Sequence, residues 1–264
     1  MGEMTRFIMN VLPAWACILV CVLFFMSCAS LVFFFVKRKL SHWIHKENNS
    51  YLPTIAVIAS ANYGFFLGFV VIVLWQSFNH AESLVSAEAN HLMSIVHHKS
   101  ALAPHQQNEL DERIGKYVNL VVSQEWPLMR VGHSSPEAES AAVDLLKSLL
   151  TVTPKTDGEK AFYASLVKSA DLFLEKRHER IDAIESVLTE PLRFFLVLGI
   201  FIITFLLSLL SERDKGVHVV CVSLVIMVIA FNVSIAFNLD YPFSGEMSVS
   251  SAPFRMGVLK SYIH

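Results

Sequence analysis

The polar part of this chain has no cysteine, and its apolar runs have no Asp, Glu, Lys or Arg near their middles. The four cysteines, Cys17, Cys21, Cys28 and Cys221, all lie inside apolar runs, which excludes a disulfide framework or thiolate zinc site elsewhere. The absence of mid-run charge argues against a proton-coupled transporter or a voltage sensor, both of which hold a charge within the bilayer. Also missing are a Gly-rich phosphate loop, a Gly-x-Ser-x-Gly elbow, a His-Glu-x-x-His pair, any alternating strand pattern and any repeat of about 20 to 50 residues. The expectation is therefore no enzyme, no cofactor, no metal and no nucleic-acid partner.

What the chain has in quantity is hydrophobic residues, 54% of its length, with 20 Phe among 264 residues. They gather in four runs, Leu12 to Val36, Thr54 to Phe78, Leu192 to Leu210 and Val217 to Asn238. About 20 apolar residues in a helix cross the roughly 30 Å of hydrocarbon. Backbone polar groups must be satisfied within each segment in lipid, so each run reads as a transmembrane helix. The expected class is an all-α membrane protein with four spans and a long helical insert between the second and third. Its expected parts are a first transmembrane pair with a short basic loop (1–78), a soluble insert (79–190), a second transmembrane pair (191–238) and a C-terminal tail (239–264). Cleavage of the first run as a signal peptide is not expected. The run continues eight residues past Cys28 and closes on Lys37-Arg38-Lys39, a stop-transfer flank.

Charge sets the orientation. The loop between the first two runs has Lys37, Arg38, Lys39 and Lys46, and the loop between the last two has Arg213 and Lys215, while the termini offer only Arg6, Arg255 and Lys260. Short basic loops stay in the cytoplasm. Both termini and the insert are thus expected on the side of the membrane away from the cytoplasm. Trp15, Trp43 and Trp75 sit near run ends, where interfacial anchors belong.

Helical spacing continues past Trp75 through Ala81, Leu84, Val85, Glu88, Leu92 and Ile95, with no Gly or Pro until Pro104. The second span therefore extends beyond the membrane as one helix. A second insert helix is expected from Gln106 to Gln124, ending near Trp126-Pro127. A third opens at Ser135-Pro136, a cap residue before a first-turn proline. The fourth opens with the capping box Thr156-Asp157-Gly158-Glu159 and runs about 30 residues toward Pro191. These helices fit either a stalk covered by oligomerisation or a compact intramolecular bundle. In the fourth, Glu175-Lys176-Arg177-His178-Glu179-Arg180 alternates in sign. A solvated face is the ordinary reading, and pairing across to another helix or subunit is the other. Seven histidines lie in the insert, but none has the i, i+4 partner of a helical metal site, so solvated surface positions are expected.

The second span is the least uniform run. Ser60, Gly64 and Gly68 form a small-residue stripe suited to close helix packing. Another stripe holds Asn62, Phe66, Phe69, Val73 and Gln76, polar at both ends and bulky in the middle. It suits either an aqueous path closed by a hydrophobic constriction or contact with lipid or a neighbouring helix. In the fourth span, Asn232, Ser234 and Asn238 are read as helix-packing polar groups.

Several stretches together resemble the bestrophin-like domain proteins. They are Trp75-Gln76-Ser77-Phe78-Asn79-His80-Ala81 leading to Glu88-Ala89-Asn90, Glu125-Trp126-Pro127-Leu128-Met129, Arg177 to Ile181 before Pro191, and Leu239-Asp240-Tyr241-Pro242-Phe243-Ser244-Gly245. The resemblance implies a distant similarity to bestrophins, pentameric chloride channels whose second span lines the pore and carries a hydrophobic neck. It places Phe66, Phe69 and Val73 at that neck. The chain departs from that pattern in lacking calcium-clasp acidic clusters, in its Glu47-Asn48-Asn49-Ser50 segment, and in an orientation opposite to that of bestrophins. The leading expectation is a homo-oligomeric channel of a bacterial inner membrane, with the second spans around its axis, whose partners are the lipid bilayer and inorganic ions, anion or cation undecided. The rival is a non-conducting membrane scaffold or envelope-stress partner acting through the insert.

Overall fold

A computed structural model describes residues 2–39, 51–154, 156–210 and 215–263. Trp43, Lys46, Arg213 and the Glu47-Asn48-Asn49-Ser50 segment lie outside the described residues. Everything regular among the described residues is helical: α1 (Gly2–Val11), α2 (Ala14–Lys39), α3 (Leu52–His98), α4 (Pro104–Leu120), α5 (Trp126–Arg130), α6 (Pro136–Leu150), α7 (Asp157–Asp182), α8 (Glu190–Leu209) and α9 (Lys215–Leu239). Helices α2, α3, α8 and α9 are each long and apolar enough to cross a membrane. The fold is an all-α membrane protein.

The punctuation of the chain accounts for the helix ends. Helix α3 runs 47 residues because nothing between Gly68 and Pro104 breaks it. It ends at His98 in a 3-10 turn, Lys99–Ala101, and Ala103, held extended ahead of Pro104, separates it from α4. The Ser135 side chain accepts a hydrogen bond from Ala138 N at 3.2 Å and starts α6. At Thr156 the reciprocal box forms, with Glu159 N donating to Thr156 Oγ1 at 3.2 Å and Thr156 N to the Glu159 carboxylate at 3.3 Å. The expected stop at Trp126-Pro127 is not a stop. A π-helical turn, Val121–Glu125, carries α4 directly into α5. Its wider ring absorbs the proline that would break a regular helix, because Trp126 N donates to Val121 O five residues back.

The chain divides into two compact units. Unit 1 comprises Met1–Asn10, Phe78–Glu185 and Tyr241–His264, and unit 2 comprises Val11–Ser77 and Ser186–Asp240. In unit 2, α2 packs against α8 and α9. The Tyr63 hydroxyl of α3 donates to Leu196 O of α8 at 2.6 Å, and a Cβ at Gly199 would overlap the Tyr63 ring. Large apolar side chains such as Leu23, Phe34, Phe65, Phe194 and Val220 point outward, the arrangement lipid favours and water penalises. The Asn238 amide donates to Ser234 O and the Ser234 hydroxyl to Ala230 O of the same helix, and Ser234 also hydrogen-bonds Cys21 of α2.

In unit 1 the apolar stripes of the insert cover one another. Ala81, Val85, Leu92 and Ile95 of α3 are fully buried with Ile114, Val118, Leu145, Leu166 and Phe173, so the compact bundle, not the half-covered stalk, is what forms. The C-terminal segment belongs to the same core. Phe243 and Phe254 each meet the Trp126 ring edge-on at 6.0 Å, and Tyr262 O accepts from Asn119 at 2.7 Å. The N-terminal helix joins it through Arg6, which donates to Ile184 O at 2.7 Å, and Asn10, which donates to Arg130 O at 2.8 Å. These hydrogen bonds tie the N-terminal helix, the insert and the C-terminal segment into one unit.

Candidate functional site

The α3 residues singled out in the sequence divide over the helix surface of unit 2. Ala56, Leu67, Val70 and Leu74 form the buried stripe that faces the chain's own helices, with Tyr63 among them. Ser60 is half-buried, and a Cβ added at Gly64 or Gly68 would meet no atom within 4 Å. Among the described residues, Gly64 and Gly68 are thus not used for close packing. On the other flank Phe66 is 37%, Phe69 65% and Val73 39% exposed. Asn62 and Gln76, at the two ends of the same face, are exposed, and the Asn62 amide donates to Ile58 O of its own helix at 2.9 Å. The structure therefore brings all five together as one outward stripe. Among the described residues, both flanks of the helix stay largely exposed.

Unit 1 holds a second constellation, drawn from several helices, that pattern reading missed. Arg177 and Arg180 of α7, Glu88 of α3 and Glu125 of the π-helical turn all have side chains with no exposed surface. Arg177 grips Glu125 with both terminal nitrogens, at 2.6 and 2.8 Å, and its Nε donates to Glu139 of α6 at 3.1 Å. Arg180 donates from Nε to Glu88 at 2.6 Å, from Nη2 to Glu88 at 3.2 Å and Glu125 at 2.9 Å, and from Nη1 to the Met129 sulfur of α5 at 2.8 Å. Tyr117 of α4 donates to Glu88 and accepts from Arg177 at 3.2 Å. The run expected to be a solvated face thus turns its two arginines into the core. Lys176, His178 and Glu179 stay at its rim.

The charges inside balance, two guanidinium groups against two carboxylates. Burial alone would push the Glu125 carboxyl up, but the hydrogen bonds from Arg177 and the charge of Arg180 bring it below the usual carboxylate range. Burial and the neighbouring Glu88 carboxylate hold the Tyr117 phenol well above its ordinary value. A network with every member satisfied holds its helices in one register, and removal of one partner strands a buried charge. The signal was present in the sequence as spacing. Arg177 and Arg180 follow Phe173 at four and seven residues, on its buried face, and Glu88 continues the stripe from Ala81.

No described cluster of His, Cys, Asp or Glu is arranged to hold a metal ion. Of the insert histidines, His80, His97, His105, His133 and His178 are exposed, and His91 and His98 half-buried. A cavity of about 60 Å³ beside Met26, Ser30, Phe33 and Ser223 lies between α2 and α9, room for a few waters and not for a substrate.

The Bestrophin-like domain matches residues 7–254. Among solved structures, a point variant of a bacterial bestrophin homologue from Klebsiella pneumoniae superposes with a TM-score of 0.63 at 14% identity, over 93% of this chain and 96% of that one. A second structure, a point variant described as a membrane protein, superposes with a TM-score of 0.62 at 14% identity, over 89% and 93%. No curated protein matches the chain by sequence.

Proposed function

This chain belongs to the bestrophin-like domain family, and from that premise we propose that it assembles as a homo-oligomeric channel in a bacterial inner membrane, with α3 of each copy facing a central axis and ions crossing passively. One observation carries the reading. The stripe Asn62, Phe66, Phe69, Val73, Gln76 is left exposed by its own protomer, amide at each end and bulky apolar between. Around an axis, rings of Phe66, Phe69 and Val73 form a neck that closes by dewetting, and the amides hydrate ions on either side. Gly64 and Gly68, open on the other flank, let a neighbouring copy's helix approach closely. Five copies is the number the family resemblance suggests.

The basic side chains that close α2, Lys37, Arg38 and Lys39, support a cytoplasmic loop there, with both termini and the insert outside. The insert, from Asn79 to Glu190, has 17 acidic and 11 basic residues, and its field favours cations, whereas the resemblance favours anions. Purified protein in liposomes under opposed potassium and chloride gradients decides between the two from the sign of the reversal potential. An inert liposome containing a correctly assembled ring would remove conduction and leave the scaffold reading in its place.

A further inference from the structure

Helix α1 has two faces with different needs. Arg6 and Met9 are buried against unit 1, and Arg6 lies 4.5 Å from the centre of the Tyr241 ring while donating to Ile184 O and Ser244. Asn10 accepts from Gly245 N at 2.8 Å as well as donating to Arg130 O. The helix is thus bolted to the insert and the C-terminal segment through its polar residues. Its outward face carries Phe7, Ile8 and Val11, exposed at 68%, 42% and 63%, and over positions 5–11 that face holds no charged side chain.

Two residues, Leu12 and Pro13, separate α1 from the first span, whose opening turn exposes Trp15 at 68%. Two linking residues reach at most about 10 Å, and tryptophan at a span end marks the headgroup layer. Chain continuity therefore keeps the apolar face of α1 within a short reach of the membrane surface. We propose that α1 is an interfacial helix that beds Phe7, Ile8 and Val11 into the headgroup–acyl boundary of the lipid while Arg6 and Asn10 tie it to unit 1. The surface takes a lipid bilayer by apolar burial, with no cationic selection for anionic headgroups. It stands independently of whether the protein conducts.

The test is single-site fluorescence. The four native cysteines are replaced by alanine, cysteine is introduced by Phe7→Cys or Val11→Cys, and an environment-sensitive dye is attached to the full-length protein in phosphatidylcholine vesicles. Phe162→Cys on α7, a residue 52% exposed, is the aqueous control. Dye at positions 7 and 11 is expected to shift to the blue and to lose emission when nitroxide-labelled lipid is added, with little loss to aqueous iodide. The control is expected to show the reverse. Iodide quenching without lipid quenching at 7 and 11 overturns the proposal. A blue-shifted dye quenched by neither reagent overturns it too, and assigns the face to a second copy of the chain.

Discussion

Removing Arg180 from the buried network is the sharpest test of how unit 1 is held together. In Arg180→Met the side chain keeps most of its volume, but the two hydrogen bonds to Glu88, one to Glu125 and one to Met129 disappear. Glu125 keeps Arg177, but Glu88, whose side chain has no exposed surface, is left with only the Tyr117 hydroxyl. Stranding a buried charge in this way costs about 3–5 kcal/mol. At roughly 2–4 °C per kcal/mol for a protein of this size, the unfolding temperature falls by about 6–20 °C. The assay is thermal unfolding in detergent followed by circular dichroism. Lys176→Met, which touches only the rim pairs with Glu175 and Glu179, sets the scale for no effect. Adding Glu88→Gln to Arg180→Met removes the stranded charge and should recover about 1–3 kcal/mol of the loss. If Arg180→Met unfolds within about 1 kcal/mol of the wild type, or if the double variant is no better than the single, the network is not what fixes these helices.

The same network sets a pH window. Glu125 has a depressed folded-state value, so its stabilisation is complete above the ordinary carboxylate value of about 4.3 and is lost as pH falls through the lower folded value. Tyr117 has a raised one, so its share is complete below about pH 10 and is lost as pH rises beyond it. Unfolding temperature measured against pH should show a plateau between those limits, and Glu125→Gln should lower the plateau and flatten the acid limb. In unit 2, Gly199→Ala drives a methyl into the Tyr63 ring and should cost about 1–3 kcal/mol in detergent-solubilised protein. The same change in a Tyr63→Ala background should be close to neutral, and equal losses in both backgrounds would refute the contact. Phe66→Ala and Phe69→Ala should each raise leak current in planar bilayers, and unchanged conductance in both removes the neck.

Much of the candidate site was legible because hydrocarbon imposes strict rules. The stripe of α3 from Asn62 to Gln76 could be drawn at 3.6 residues per turn before any tertiary structure was known, and the helix runs unbroken through it. Which flank of that helix faces the chain's own helices was not legible. Leu67, Phe66 and Phe69 are all apolar, and only the packing of α3, whose Tyr63 lies against Gly199 of α8, decides that Leu67 is the buried one. The capping box at Thr156 and the proline at the start of α6 were read correctly because they are local chemistry. The π-helical turn was missed because Trp126-Pro127 is also how a helix ends. The charged run of α7 was left between a solvated face and pairing across to another helix for a related reason. Alternating signs describe a surface until Glu88, 92 residues before Arg180, is known to lie against it.

The sequence by itself determined four membrane-length helices, their helical insert and the family, because hydrophobic length and local capping are properties of contiguous residues. Tertiary structure decided that the N-terminal helix, the insert and the C-terminal segment form one unit, and that Arg177 and Arg180 lie at its centre. It also decided that the flanks of α3 carrying Phe69 and Gly68 stay exposed while Leu67 and Leu74 are buried. Those outcomes depend on which distant surfaces meet, and a buried charge can be recognised only when the opposite charge that neutralises it has been brought alongside.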